Sequence, residues 1–356
     1  MLHFLSHRIG QIAFLTKSRT FAYLFCFLPL IGCGEERADD VFDTYLNRLS
    51  NVIDVDVPTV KPVPPVSLPM KRELKLDIAP ITIGLLDAYE LRQCGAFQLI
   101  AERNSVLGKV QNEITQLQYE IRLLNALAQC LPSVSIELRQ QLAPIYTQKQ
   151  AQISQHHWNA VSLDEEWQNF LRPTLKSFAI NSSEGFIEAE QILMIMLEIR
   201  QQLDDPQNIN SELLDTLPSK QALIYQNDYI GRLYTSIYRA DIALTKANLL
   251  LSQFDPKRHC GPKRNQTRAE YLRNVFDKFY VAQLQPYLAR IDSEFRHLQP
   301  LLAEIYQPPA DVADTFQPYQ QQLIVGDAHR SMRTKLDTHV AYWQSLFKHC
   351  RFKVGI

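Results

Sequence analysis

The chain has 356 residues, with 37 Lys+Arg against 38 Asp+Glu and a formal net charge of −1. Hydrophobic residues make up 46% and charged residues 21% of the sequence, which is typical of a folded protein and excludes a disordered one. The near-zero net charge argues against nucleic acid as a partner, because binding to phosphates needs a basic surface.

The N-terminal segment has the pattern of a secretory leader. Basic residues without acidic ones precede an apolar run from Phe21 to Ile31, which ends at Gly32-Cys33. A basic region, an apolar run of about 7–15 residues and a small residue at the cleavage site describe a signal peptide. The run is shorter than the roughly 20 apolar residues that a membrane-spanning helix needs. We therefore predict a leader over residues 1–32.

The end of this leader resembles the lipobox of bacterial lipoproteins. Leu30-Ile31-Gly32-Cys33 matches the motif, in which the cysteine is acylated and becomes the first mature residue. A plain signal peptide with a chance cysteine is the alternative. The lipobox predicts attachment to a membrane through Cys33. Because Gly34 and not Asp follows the cysteine, the sorting rule favours the outer membrane, with the protein facing the periplasm.

The mature chain begins with an amphipathic segment and a proline-rich connector. Apolar residues of the stretch 37–53 recur on one helical face, which predicts a short amphipathic helix. The prolines that follow, from Pro58 to Pro80, exclude the interior of a helix and favour extended chain. We therefore predict a tether over residues 33–82 and a single helical domain over residues 83–356.

The sequence predicts helices for the rest of the chain. Apolar residues repeat in steps of three and four over the stretches 114–131, 230–251, 288–305 and 332–350. Such seams favour antiparallel helices that pack at about 20°. The apolar run 192–197 predicts a helix that is buried on all sides. The predicted fold class is therefore all-α, an antiparallel bundle of long helices.

Two prolines fall inside one of these helical patterns. Pro286 and Pro300 lie within the predicted helix 268–306. Proline has no backbone N–H to donate, and its ring clashes with the preceding turn. We expect a kink or a division of the helix at each proline.

The cysteines agree with export. Cys26 lies in the leader and Cys33 is the predicted site of acylation, which leaves four cysteines. An even number in an exported protein predicts disulfides. Pairing within each half of the chain closes the shorter loops, and it gives Cys94–Cys130 and Cys260–Cys350. A metal site is the rival interpretation, but the chain has no CxxC and no spacing that fits zinc.

One local cluster is a candidate polar site. Glu102, Arg103 and Asn104 place a carboxylate, a guanidinium and an amide within one turn, and arginine is suited to binding anions. The alternative is a helix that ends at Asn104 or Ser105, followed by a turn at Gly108 and braced by an ion pair between Glu102 and Arg103. The chain has no GxSxG, GxGxxG, GxxxxGK[ST] or HExxH motif.

A pair of adjacent histidines can be considered as a metal site. His156 and His157 would point about 100° apart on a helix and would not easily chelate one metal ion. A partly exposed helix end is the better interpretation of this pair. We predict no metal site and no cofactor.

A longer block of sequence resembles a known family. It contains Cys94, the sequence ERNSVLGKV over residues 102–110, and Cys130. The block resembles a family of uncharacterised lipoproteins from Gram-negative bacteria, catalogued only as a domain of unknown function. The resemblance implies an envelope location and a similar architecture over nearly the whole mature chain. It implies no activity.

These features favour a non-enzymatic lipoprotein of the cell envelope that acts as a scaffold, through contacts with an envelope protein partner. One alternative is a protein that binds a lipid or another amphiphile between its helices, which requires a large cavity lined by apolar side chains. Another is a hydrolase or lyase of an envelope polymer with Glu102 as general acid and base, which requires a cleft that opens onto its carboxylate.

Overall fold

The computed structural model describes residues 36–81, 87–105, 108, 111–205 and 209–353. These residues all belong to one compact unit. The predicted leader and Cys33 lie outside the described residues. Every helix in the described part of the chain is too short or too polar to cross a bilayer.

The described residues contain helices and no β-strand, apart from an isolated bridge between Arg37 and Ala179. The first eight α-helices are α1 (Ala38–Ile53), α2 (Lys71–Leu74), α3 (Ala96–Asn104), α4 (Glu113–Cys130), α5 (Ile136–Leu163), α6 (Glu165–Leu171), α7 (Phe186–Gln201) and α8 (Ser211–Gln221). The others are α9 (Tyr229–Ser252), α10 (Pro256–His259), α11 (Thr267–Val275), α12 (Gln285–Ile305), α13 (Ala310–Tyr319) and α14 (Asp327–Cys350). Shorter 3₁₀ turns cover Asp87–Cys94 and Ala222–Ile224. The all-α prediction is confirmed.

Side-chain caps fix where several of these helices begin. The side chain of Asn112 accepts a hydrogen bond from the backbone N–H of Thr115 at the start of α4. Ser135 caps α5 in the same way, and Asp164 caps α6. These side chains satisfy N–H groups that have no partner inside the helix, so five residues suffice between the end of α4 and the start of α5, and one residue suffices between α5 and α6.

The segment predicted as a tether is part of the helical body. Tyr45, Leu46 and Leu49 of α1 are buried in the main hydrophobic core, where α1 packs against α9 and α11. The connector is fixed as well, because the indole N–H of Trp158 donates to the carbonyl of Leu74 at 2.8 Å. An amphipathic helix gains more from burying its apolar face than from lying in solvent. The structure thus shows no separation between residues 36–81 and the helices that follow.

The apolar run in α7 is buried on one side only. Ile192, Leu193 and Met196 are buried, whereas Met194 is 56% exposed. The prediction of a helix buried on all sides was therefore wrong. Consecutive residues of a helix point about 100° apart, so six apolar residues in a row place some of them on the outer face when only one face meets the core.

The two prolines of the predicted helix 268–306 differ in effect. A π-helical segment, Phe276–Leu284, joins α11 to α12 directly before Pro286. Here the N–H of Gln285 donates to the carbonyl of Tyr280, five residues earlier. Pro300 lies inside α12 without dividing it. A second π-helical segment, Gln320–Ile324, follows Pro318 and extends α13.

Some neighbouring long helices are antiparallel and others are parallel. The short turn after α4 makes α4 and α5 antiparallel, as the seams predicted. α9 and α14 instead run parallel, since contacts advance along both helices in the same order. Lys335 pairs with Asp241, His339 with Asn248, and Tyr342 with the carbonyl of Phe254. Parallel neighbours need a long connection, and α10 to α13 supply it.

Both predicted cysteine pairs lie at disulfide distance. The Cα atoms are 5.3 Å apart for Cys94 and Cys130 and 4.8 Å apart for Cys260 and Cys350. The first pair closes a small second core between the Asp87–Cys94 turn, α3, α4 and the start of α5. The second pair ties α10 to the last residue of α14.

Candidate functional site

The residues of the candidate polar site lie in the last turn of α3 and do not converge. Glu102 is exposed, and its carboxylate accepts a hydrogen bond from the side-chain amide of Gln98 at 2.8 Å. Asn104 is the last residue of the helix and is also exposed. Arg103 alone turns inward, where it is half-buried. The three residues therefore do not form one site.

Arg103 braces a turn. Its guanidinium donates to the carbonyl of Gly108 and lies over the ring of Tyr119, with 5.8 Å between Cζ and the ring centroid. A Cβ atom at Gly108 would lie 2.7 Å from the carbonyl oxygen of Arg103, so the turn requires glycine. The expected helix end at Asn104 is present, and Gly108 contacts Arg103; residues 106, 107, 109 and 110 lie outside the described residues. The expected ion pair with Glu102 is not among the salt bridges of the described residues.

A buried ion pair lies below this turn. Lys149 Nζ of α5 is 2.7 Å from Glu120 Oε2 of α4, and the two side chains are 7% and 8% exposed. The side-chain amide of Gln116 donates to Glu120 Oε1 at 2.7 Å. His156 Nε2 lies 4.0 Å from the same oxygen. Burial lowers the pKa of His156, and the attraction of Glu120 only partly offsets this effect.

Gln116, Lys149 and His156 are among the residues that line a polar cleft of about 360 Å³, whereas Glu120 is not. Arg103, Glu113, Lys149 and His156 line it on one side, and residues 75–81 of the connector line the other. Glu120 already accepts from Lys149 and Gln116, which makes it a brace between helices and not a free acid. Glu102 does not line this cleft. The geometry required for Glu102 as a general acid is thus not found here.

The histidine pair lies deeper than its sequence indicated. His156 and His157 are inside α5 and not at its exposed end, and His157 is only 2% exposed. Burial lowers the pKa of His157 to about 3. The prediction of a partly exposed helix end was wrong, because α5 continues to Leu163 and both of its faces meet other helices. No group of His, Cys, Asp or Glu that would hold a metal ion occurs within the part of the chain that the structure describes.

A second site lies between the π-helical segment Phe276–Leu284 and the C-terminal half of α14. We call it the aromatic groove and define it by its aromatic lining, Phe276, Tyr280, Trp343, Phe347 and Phe352. The ring of Phe276 lies 4.7 Å from that of Trp343 and 5.1 Å from that of Phe347, measured between centroids. The groove has a volume of about 660 Å³.

A buried histidine holds the floor of the aromatic groove in place. The indole N–H of Trp343 donates to His339 Nε2 at 3.0 Å, and the hydroxyl of Tyr45 lies 2.9 Å from the same nitrogen. His339 Nδ1 is 2.8 Å from the side-chain oxygen of Asn248. Burial lowers the pKa of His339 to about 3, so the ring is neutral at pH 7. Nε2 therefore accepts and Nδ1–H donates, and this pattern fixes the Trp343 ring.

The rim of the aromatic groove is basic. Lys348 and Arg351 line it and are exposed. No carboxylate pairs with either one among the salt bridges of the described residues. The acidic side chain at the rim, Asp277, is paired with Arg273 one turn earlier, with 3.5 Å between the charged atoms. The unbalanced charge at the rim is therefore positive.

The sequence did not single out this groove. Trp343 and Phe347 belong to the apolar repeat of α14, but such a repeat normally indicates residues of the hydrophobic core. Phe276 and Tyr280 lie more than sixty residues earlier in the chain. Aromatic residues four apart before a proline were the available signal, because π-helical turns are rare and often occur at functional sites.

The comparisons with known proteins give a family and no activity. The family described as "Protein of unknown function (DUF3080)" matches residues 42–354. No curated protein and no solved structure matches the chain. The family match covers both candidate sites and agrees with the resemblance of the block from Cys94 to Cys130 to an uncharacterised family. The chain therefore belongs to the DUF3080 family of proteins of unknown function.

Proposed function

We propose that this protein is a non-enzymatic lipoprotein of the cell envelope whose helical body binds a single-chain amphiphile with an anionic head. Cys33 carries the lipid anchor in this proposal, and the outer membrane is the membrane that holds it. The observation that supports amphiphile binding is the aromatic groove of about 660 Å³.

The volume and lining of the groove match an apolar chain. Ligand pockets have volumes of about 300–1,000 Å³ and apolar or aromatic walls, with a few polar groups that orient the ligand. Val281 and Val340 add apolar surface at the edges and are 39% and 37% exposed. Apolar side chains left in water this way favour an apolar occupant, since each CH₂ group that is buried contributes about 0.8 kcal/mol.

The rim selects the head group. Lys348 and Arg351 present positive charge at the mouth of the groove, next to apolar walls. A carboxylate or phosphate head would pair with them while its chain lies against Trp343 and Phe347. A cationic head would be repelled. The scaffold role with an envelope protein partner, expected from the sequence, gains no comparable support from the geometry.

Titration with bromopalmitate is expected to quench the fluorescence of Trp343, because bromine in a bound chain would lie against its ring. The lipid-free mature chain, residues 33–356 with Cys33→Ser, is the protein for this measurement. Trp158 and Trp167 pack against other aromatic rings, away from the groove. Trp343→Phe should therefore remove the quenching. Val340→Glu should weaken the affinity about tenfold, through lost apolar contact and like charge.

Leu249→Glu is the matched control for Val340→Glu, since Leu249 is an exposed apolar residue of α9, 46% exposed, that does not line the groove. Its affinity should equal that of the parent chain. A brominated chain with a trimethylammonium head should bind more weakly than bromopalmitate. Equal binding of the two heads would contradict the role of the basic rim, and no quenching by either would refute the proposed function.

The lipid anchor has its own test. Cells that express the full chain and grow with labelled palmitate should incorporate the label into the wild type and not into Cys33→Ser, because the acyl chains attach to that sulfur. The variant keeps the rest of the leader, so export continues under either interpretation. Equal labelling of the two proteins would show that Cys33 is not the anchor.

A further inference from the structure

The anchor proposed above leaves little chain between the membrane and the folded body. Two residues, Gly34 and Glu35, separate Cys33 from Glu36, the first described residue, so the two positions are three chain steps apart. A fully extended chain of this length spans about 11 Å. The head-group region of a bilayer is itself about 5–7 Å deep on each side. Glu36 is therefore held close to the lipid head groups, and the surface around it must face the membrane.

That surface is fixed by hydrogen bonds between Glu36–Ala38 and the segment that follows α6. The N–H of Ile180 donates to the carbonyl of Glu36 at 2.9 Å, and the N–H of Ala38 donates to the carbonyl of Phe178 at 3.4 Å. These contacts make the isolated bridge between Arg37 and Ala179. The segment 174–180 thus lies beside the point at which the chain leaves for the anchor.

An apolar side chain projects from this segment. Leu175 is 88% exposed, the highest value among the large exposed apolar residues of the described chain. Its backbone is nevertheless held on α9, because its carbonyl accepts from the guanidinium of Arg239. The carbonyl of Thr174 accepts from the hydroxyl of Thr235 at 2.8 Å. The hydrogen bonds of the segment keep Leu175 projecting into water, and an apolar surface that covered the side chain would gain the free energy of burying it.

The charges around Leu175 fit a lipid surface. Lys176 and Arg172 are exposed, and neither is paired with a carboxylate among the salt bridges of the described residues. Three acidic residues lie at this end of α1: Asp39 is paired with both Arg37 and Arg239, whereas Glu36 and Asp40 are exposed. With Arg37, Arg172, Lys176 and Arg239 against these three carboxylates, the balance of charge here is still positive. Cations beside a projecting apolar residue are the usual arrangement at a membrane interface, where the apolar group enters the head-group boundary and the cations meet lipid phosphates.

We propose that the 174–180 segment is the membrane-docking surface of this protein, with Leu175 inserted at the bilayer interface and Lys176 on anionic head groups. This inference rests on the proposed anchor at Cys33 for its geometry. It adds an orientation: the body lies against the membrane by the start of α1 and does not hang from a long tether.

Tryptophan placed at the docking surface tests this orientation. Leu175→Trp and Ile136→Trp are made in the mature chain that also carries Trp343→Phe, so that the aromatic groove contributes no quenching. A maleimide phospholipid is coupled to Cys33, the thiol left free by the two disulfides. Ile136 is the matched control, because it is 68% exposed and begins α5, a helix of 28 residues and so about 42 Å long, whose other end is joined to residue 172 by α6. The anchored proteins are bound to vesicles of phosphatidylcholine and phosphatidylglycerol with brominated acyl chains.

The tryptophan at position 175 should lose emission in brominated vesicles relative to unbrominated ones, and the one at position 136 should not. Water-like, unquenched emission at position 175 in protein that floats with the vesicles would overturn the docking surface, and a protein partner would then be its occupant. Equal quenching at both positions would overturn the orientation. Because the anchor is attached chemically, these outcomes are independent of whether cells acylate Cys33, which the palmitate experiment decides.

Discussion

Replacement of Lys149 by alanine is expected to lower the free energy of unfolding by about 3–5 kcal/mol, the usual cost of leaving one buried charge without its partner. Glu120 is only 8% exposed and would remain in the space between α4 and α5. Gln116 would be the neighbour that still donates to its carboxylate. Glu120→Ala should cost a similar amount, since it leaves the ammonium group of Lys149 buried instead.

A double-mutant cycle separates the pair from simple loss of packing. The cycle consists of the wild type, Glu120→Leu, Lys149→Met and the variant with both substitutions, which removes both charges and keeps much of the volume. The stability of the double variant should lie well above that of either of these single variants. Chemical denaturation of the four proteins, followed by circular dichroism, gives the coupling energy. Additive single effects would show that the two charges do not interact.

Glu102→Ala is the matched surface control for this cycle. Its carboxylate is exposed and accepts a single hydrogen bond from Gln98, one turn earlier in α3. An exposed contact of this kind changes stability by less than about 0.5 kcal/mol. A loss as large as that of Lys149→Ala would mean that Glu102 pairs with Arg103 after all, as its sequence position indicated.

The helices were predictable because a helix with one buried face needs apolar residues every three to four positions, and this period is visible in the sequence. The seam 230–251 became α9 (Tyr229–Ser252) and the seam 114–131 became α4 (Glu113–Cys130). The apolar repeat does not show which surface the helix packs against. The amphipathic pattern of α1 suits a helix on a membrane, a helix in a tether or a helix in a core, and only the buried Tyr45 decides for the core.

The candidate sites were harder to predict because each depends on pairs of residues far apart in the chain. Glu120 is a charged residue within the stretch 114–131, and Lys149 lies in a polar stretch with no apolar repeat. From the sequence, either one alone is expected to face solvent. The aromatic groove needs Phe276 and Trp343 side by side, and that contact depends on how the π-helical segment Phe276–Leu284 packs against α14, more than sixty residues later in the chain. The cluster from Glu102 to Asn104 was a candidate because its residues are adjacent in sequence. In the structure, only Arg103 of the three turns toward the body.

The cysteine pairs were predictable for a different reason, since covalent chemistry and loop length restrict the choices. Export makes pairing favourable, and the shortest loops gave both pairs that the structure places at bonding distance. The two pairs close loops of different length and hold different parts of the fold. Cys94 and Cys130 are 36 residues apart and hold the small second core, whereas Cys260 and Cys350 are 90 apart and enclose α11 to α14.

Replacement of Cys260 and Cys350 together by alanine is therefore expected to lower the free energy of unfolding by about 4–5 kcal/mol, if the chain-entropy account of cross-links holds. The unfolded chain gains the freedom of the 90-residue loop, and the folded chain loses the link between α10 and the end of α14. Cys94→Ala with Cys130→Ala is the matched control, and its shorter loop gives about 4 kcal/mol or less. Guanidinium unfolding of both variants without reductant measures the two losses.

Local effects distinguish the two pairs further. Cys350 directly precedes Arg351 and Phe352, which line the aromatic groove, so loss of its link should also weaken bromopalmitate binding at concentrations of denaturant well below the unfolding midpoint. Loss of the Cys94–Cys130 link should leave that binding unchanged, because the second core does not touch the groove. A larger loss of stability for the Cys94 and Cys130 variant would show that packing within the second core, and not loop length, sets the contribution of these cross-links.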